Sequence, residues 1–200
     1  IYNSTQDSKK ELEYVSKAYD SFVKSGNEKH CRLTKGMLAM AYANARDFEK
    51  ADSLYRETIN LTGRDTFAIA LFLENYARLN VLKPNPDPQK ALSLLERRYR
   101  EYKKRPVSAD FYYVYAYALQ QLGREKECDD ILEQLGEVNS VEKDYWQYLV
   151  NRYRGQYEQA IGFLEKSSKR YERQMIDLLS NTIDDTLRDY YAAESEKAKA

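Results

Sequence analysis

Residues 48–58 carry the sequence FEKADSLYRET, in which the small residue Ala51 is followed by apolar side chains three and four positions further on. The same arrangement returns around Ala91, Cys128 and Ala160, so that the four small residues are separated by 40, 37 and 32 positions. Similarity at a period of 20–50 residues is the signature of a repeat protein. The chain is therefore predicted to be built from about four copies of one structural unit.

Each copy indicates a pair of helices. Its apolar residues fall at helical rather than alternating spacing, and a second amphipathic stretch precedes it. Ala18 with Phe22 forms a fifth, degenerate copy. Small residues at the repeated position let the two helices of a hairpin approach to about 8–10 Å. Because one hairpin cannot bury its apolar face alone, the copies must stack, and we predict an all-α fold.

Two stretches resemble the tetratricopeptide repeat. The better one reads Leu-Ala-x-x-Tyr at 38–42, followed by Asp-Phe-Glu-Lys-Ala-x-x-x-Tyr at 47–55. The other reads Tyr-Ala-x-x-Leu-x-x-x-Gly at 115–123, and it has Tyr112 where that family often has Trp. The resemblance covers roughly residues 29–171, with six extra residues in a Pro-punctuated turn at 80–88. It implies a right-handed superhelical solenoid of about 9–10 helices with a concave and a convex side.

The domain organisation follows from the repeats. Residues 1–171 are predicted to hold four to five repeat units, of which the first is degenerate, and residues 172–200 a C-terminal capping helix. An alternative is that this last helix continues as a coiled coil or a linker, because the chain starts without Met and ends without a helix stop, as a fragment would. The capping helix is predicted from one apolar stripe, Met175, Ile176, Leu179, Ile183, Leu187 and Tyr191.

Composition excludes several classes of function. Lys and Arg number 32 and Asp and Glu also 32, so no net charge attracts nucleic acid or an anionic membrane. The longest apolar run, 67–73, is far shorter than the roughly 20 residues that span a bilayer. We therefore expect a soluble fragment that inserts in no membrane and binds no nucleic acid. Cys31 and Cys128 are predicted to be small buried residues, since two cysteines make no disulfide framework or metal motif.

The sequence carries no pattern that predicts catalysis. The single histidine, His30, is adjacent to Cys31, and neighbours on a helix point about 100° apart, so the two cannot act as base and nucleophile. The acidic pairs at 129–130 and 184–185 have the same poor geometry, and the seven glycines form no phosphate-binding loop. The prediction is a protein that is not an enzyme and uses no cofactor or metal.

One cluster of charge stands out. Residues 97–105 contain six bases and two tyrosines, a composition that could bind phosphate or an anionic surface. The favoured interpretation is structural, because cations gather at the C-terminus of a helix and Pro106 ends this one.

Tyrosine gives the strongest functional indication, with 19 residues in the chain. Tyrosine suits recognition surfaces because it offers a large contact area and a hydroxyl with few rotors to freeze. The family resemblance implies that inner helices line a concave groove, and Tyr112, Tyr115 and Tyr148 are instead assigned to packing. The groove positions it implies are Tyr113, Tyr117, Gln120, Tyr145, Leu149 and Arg152, with Met40, Ala43, Ala70 and Glu74 in the earlier copies.

A subfamily of this repeat binds C-terminal carboxylates through inward cations and amides. The corresponding positions here are Gly36, Met40, Leu71, Asp110 and Val114, so that clamp is absent. The first functional hypothesis is a noncatalytic scaffold that holds a peptide or protein partner in a tyrosine-lined groove. The alternative is a sensory input module of a longer membrane-anchored bacterial regulator, with this fragment outside the cytoplasm. Compartment and oligomeric state are left open.

Overall fold

The computed structural model describes residues 5–60, 66–104, 106–136 and 143–168. All regular structure in these ranges is α-helical, which confirms the predicted all-α class. Residues 172–200, predicted as a capping helix, lie outside the described residues. The helices within the ranges are α1 (Thr5–Lys24), α2 (Glu28–Asn44), α3 (Phe48–Asn60), α4 (Thr66–Leu82), α5 (Pro88–Glu101), α6 (Ala109–Gln121), α7 (Glu125–Leu135), α8 (Lys143–Tyr153) and α9 (Tyr157–Ser168).

The chain divides into two compact units, Ile1–Val107 and Ser108–Ala200. In the first unit α2 packs against α1 and α3, α4 packs against α3 and α5, and α2 also touches α4. In the second unit α6 packs against α7 and α8, and α8 packs against α9. Each unit therefore contains two hairpins whose first helices are neighbours.

The repeated small residues occupy equivalent buried positions in the four hairpins. Ala51, Ala91, Cys128 and Ala160 are all completely buried, on α3, α5, α7 and α9. Each is thus on the second helix of its hairpin, at the position that the repeat pattern predicts. Cys31 differs from the expectation, because it is only half-buried on the first turn of α2.

One type of turn recurs between helices. Gly26, Arg46, Gly123 and Gly155 adopt a left-handed backbone with φ between 63° and 74°. The next residue then donates its N–H to a carbonyl five positions back, the hydrogen bond of a Schellman C-cap. These bonds are Asn27 to Phe22, Asp47 to Tyr42, Arg124 to Leu119 and Gln156 to Asn151, at 2.9–3.1 Å.

The turn between α4 and α5 is different. Here the Asp87 N–H donates to the carbonyl of Asn80 at 2.8 Å, and the Asp87 carboxylate accepts from the Lys90 N–H at 3.0 Å. Pro88 occupies the first position of α5, where a missing N–H costs no helical hydrogen bond. The extra residues of this repeat are therefore absorbed in a capped, Pro-punctuated connection.

Candidate interaction surface

Exposed apolar side chains concentrate on two neighbouring helices of the first unit. Leu33 and Met37 on α2 are 37% and 43% exposed, and Phe67 and Leu71 on α4 are 61% and 40% exposed. Each pair is spaced i, i+4, so both members lie on one face of their helix. The two pairs are related by 34 positions, which makes them equivalent sites in consecutive repeats. We call these four residues the α2/α4 surface.

A glycine brings these two helices close together. The ring of Phe72 packs on the backbone of Gly36, where a Cβ atom would lie 2.2 Å from the Phe72 Cζ atom. Phe72 itself is buried, as are Leu38 and Leu73 on the same two helices. The α2/α4 surface thus lies on two helices that touch where Phe72 packs on Gly36.

Met40 and Glu74, both predicted groove residues, are also related by 34 positions. Met40 is half-buried and continues the row of Leu33 and Met37 along α2. Glu74 is held within the unit, because its Oε1 atom accepts a hydrogen bond from the Nε of buried Arg98 at 2.6 Å. Of the two, only Met40 extends the apolar row. Of the other two earlier-copy positions, Ala70 is buried and Ala43 half-buried.

A partly buried network of hydrogen bonds and ion pairs supports α4 from the opposite side. Asp52 on α3 accepts hydrogen bonds from the Tyr76 hydroxyl at 2.8 Å and from the Lys90 ammonium at 3.0 Å. Its other oxygen pairs with Arg56 at 2.7 Å, and Lys90 lies 4.4 Å from the centre of the Tyr76 ring. Burial favours a higher pKa for Asp52, but these hydrogen bonds outweigh it and hold the pKa below its usual value. The network joins α3, α4 and α5.

In the second unit the predicted groove residues of α6 are interior. Tyr113, Tyr117 and Gln120 are 1%, 8% and 1% exposed, so the expectation that they face a groove is corrected. The ring of Tyr117 lies 5.9 Å from that of Trp146 and 6.3 Å from that of Tyr153, both on α8. Burial raises the pKa of Tyr117 to about 12. These side chains pack between helices because α6 is apolar on nearly all sides.

Gln120 is fixed by polar contacts rather than presented to a ligand. Its Oε1 atom accepts from the Arg154 Nε at 2.7 Å, and the same guanidinium pairs with Asp129 at 2.8 Å. Burial raises the pKa of the neighbouring Cys128 thiol to about 11, so this cysteine is protonated at neutral pH.

The predicted residues of α8 are divided between interior and partly exposed positions. Leu149 is buried, whereas Tyr145 and Arg152 are half-buried. Arg152 donates to the hydroxyl of Tyr148 at 3.1 Å, and Tyr148 is buried, as its packing role predicts. The rings of Tyr145 and Tyr148 lie 5.7 Å apart. Most of the aromatic surface of this helix is thus engaged within the unit.

Tyr112 and Tyr115 were assigned to packing, and both are half-buried in the structure. They are more exposed than Tyr113 and Tyr117 on the same helix, which are buried. Tyr112 and Tyr115 both contact the ring of Phe111, at centre distances of 5.2 and 6.4 Å. Helix α6 is therefore turned so that its partly exposed edge carries Tyr112 and Tyr115.

The imidazole of His30 contacts residues on both sides of the turn before α2. The imidazole Nδ1 of His30 lies 2.9 Å from the Oδ1 of Asn27, the N-cap of α2, and its ring stacks on Phe22 at 4.8 Å. Across the ranges that the structure describes, no three His, Cys, Asp or Glu side chains form a metal-binding group. None of the helices in these ranges is long and apolar enough to span a membrane.

The sequence analysis did not predict the residues of the α2/α4 surface as a binding site. It named Leu71 only as one of the positions that show the carboxylate clamp to be absent, and it assigned no role to Leu33, Met37 and Phe67. The signal that finds them is the 34-residue relation between two apolar i, i+4 pairs. No family model, no curated protein and no solved structure matches this chain.

Proposed function

We propose that the protein is a noncatalytic interaction scaffold of stacked helical hairpins, which binds a protein partner through the α2/α4 surface. The observation that carries this proposal is the exposure of Leu33, Met37, Phe67 and Leu71 at equivalent positions of two consecutive repeats. Contiguous exposed apolar area on a soluble chain marks interaction sites. We assign the chain to the tetratricopeptide class and the arrangement of its repeats to a superhelical solenoid as part of the same proposal.

The repeated hairpins support the scaffold proposal. The small residue of each repeat is buried on the second helix of a hairpin, and one type of turn recurs at four positions. Stacked units of this kind present successive first helices side by side. A ligand that runs across them meets equivalent positions once per repeat, as the 34-residue relation requires.

The partner that fits this surface is an amphipathic helix. Two neighbouring helices are about 8–10 Å apart, so their exposed faces form a shallow groove about as wide as one incoming helix. Apolar anchors at i and i+4 or i+7 of the incoming helix then contact both rows. Met37 and Met40 add unbranched side chains that adapt to different partner shapes.

Site-specific photocrosslinking tests the proposal. A photoreactive phenylalanine at Met37 or at Leu71 is expected to trap the same partner segment, and that segment should show an apolar i, i+4 stripe. Val23 on α1 is a matched control, because it is 52% exposed and lies on a helix outside the surface. The proposal fails if the control position traps the same segment, or if Met37 and Leu71 trap unrelated peptides.

A further inference from the structure

An open cavity lies at the end of α5 and shares no lining residue with the α2/α4 surface. It has a volume of about 330 Å³ and is lined by Arg98, Tyr99, Lys103, Pro106 and Val107, all within the first unit. Cavities that hold small molecules measure about 300–1,000 Å³. The space therefore suits a ligand at the small end of that range.

Arg98 fixes the wall of this cavity. Besides its bond to Glu74, it donates to the carbonyl of Tyr102 at 3.2 Å and to that of Pro106 at 2.9 Å. These contacts tie the segment after α5 to the end of the helix, and Arg98 is buried. The cavity is thus formed before any ligand arrives, while the Arg98 charge is balanced by Glu74.

Among the residues that line the cavity, Lys103 supplies the positive charge that no carboxylate of the described chain balances. Glu101, the nearest carboxylate in the sequence, contacts Arg97 at 3.0 Å and Arg100 at 3.9 Å. Within the described part of the chain, Lys103 is exposed and has no carboxylate partner. It also follows the end of α5, so it is not one of the basic side chains of the last helical turn.

The remaining walls are aromatic and apolar. Tyr99 is 57% exposed, and Pro106 and Val107 complete the lining. One ammonium group beside such walls complements a ligand with one carboxylate and an apolar body. Phosphate fits less well, because it has no apolar part to cover Tyr99 and Val107. We propose that this cavity binds a small organic acid, an activity independent of the partner surface.

Titration of the isotopically labelled protein with benzoate, followed by NMR, tests the proposal. We expect saturable shifts confined to residues 98–107. Lys103→Ala should weaken benzoate binding at least about tenfold, because it removes a charge-assisted hydrogen bond. Lys104→Ala is the matched control: this neighbouring lysine is also exposed but does not line the cavity, and its loss should change affinity less than about twofold.

The choice of anion provides the second comparison. Acetate and inorganic phosphate should bind at least about tenfold more weakly than benzoate, because neither covers the apolar walls. Tyr99→Ala should weaken benzoate binding and leave acetate binding unchanged. The proposal is overturned if phosphate binds as well as benzoate, if both lysine variants lose the same affinity, or if the shifts do not saturate.

Discussion

The first helices of the hairpins differ between the two units. Helices α2 and α4 carry fewer aromatic residues than α6 and α8, and Met37 and Leu71 remain exposed on them. On α6 and α8 the aromatic residues are more numerous, yet Tyr117 and Trp146 are buried against each other. In the second unit the rings of Tyr117 and Trp146 pack between helices. In the first unit the Phe72 ring packs on Gly36, and the four residues of the α2/α4 surface stay exposed. Aromatic content alone therefore does not identify a binding surface.

The largest expected effect concerns the aromatic packing of the second unit. Tyr117→Ala should lower the free energy of unfolding by about 3–5 kcal/mol, as for other buried aromatic truncations. Trp146 is the single tryptophan and contacts Tyr117, so its fluorescence in urea reports on this unit. Leu71→Ala, followed by circular dichroism, should cost less than about 1 kcal/mol. A loss below 1 kcal/mol for Tyr117→Ala would place that ring on the surface after all.

The network behind α4 predicts a pH-dependent difference. The pKa of Asp52 is lowered in the folded state, so its stabilising contribution is present at neutral pH and is lost as the pH falls below about 4. Asp52→Asn should therefore cost about 1–2 kcal/mol at pH 7. Urea unfolding at pH 7, 5 and 3 should show the gap between parent and variant narrowing only at the lowest pH. A gap of constant size would show that the Asp52 charge is not the stabilising group.

The contact between α2 and α4 can be tested with two glycines. Gly36→Ala should destabilise by about 1 kcal/mol, because the clash with the Phe72 ring outweighs the better helix propensity of alanine. Gly162→Ala is the matched control on α9, where nothing lies within 4 Å of the new Cβ, and it should stabilise by about 1 kcal/mol. The measurement is the thermal unfolding of both variants, compared with that of the parent protein. If both gain stability, α2 and α4 are not in close contact at Gly36.

The helical class and the hairpins could be predicted from sequence, since the repeated small residues, such as Ala51 and Ala160, are a local pattern. The orientation of α6 could not be predicted, because a helix that is apolar on nearly all sides gives no signal of which tyrosines face inward. The hydrogen-bond network around Asp52 could not be predicted from the sequence either. Its members Tyr76 and Lys90 are 24 and 38 positions away, and only tertiary packing brings them together.

The most direct test of the proposed binding surface compares two double variants against one partner segment, identified by crosslinking. Met37→Ser with Leu71→Ser should weaken binding at least about tenfold, because two apolar anchors lose their contacts. Tyr112→Ser with Tyr115→Ser, on the partly exposed edge of α6, should leave the affinity within about twofold. The opposite pattern would contradict the account and return the function to the tyrosine-rich helices.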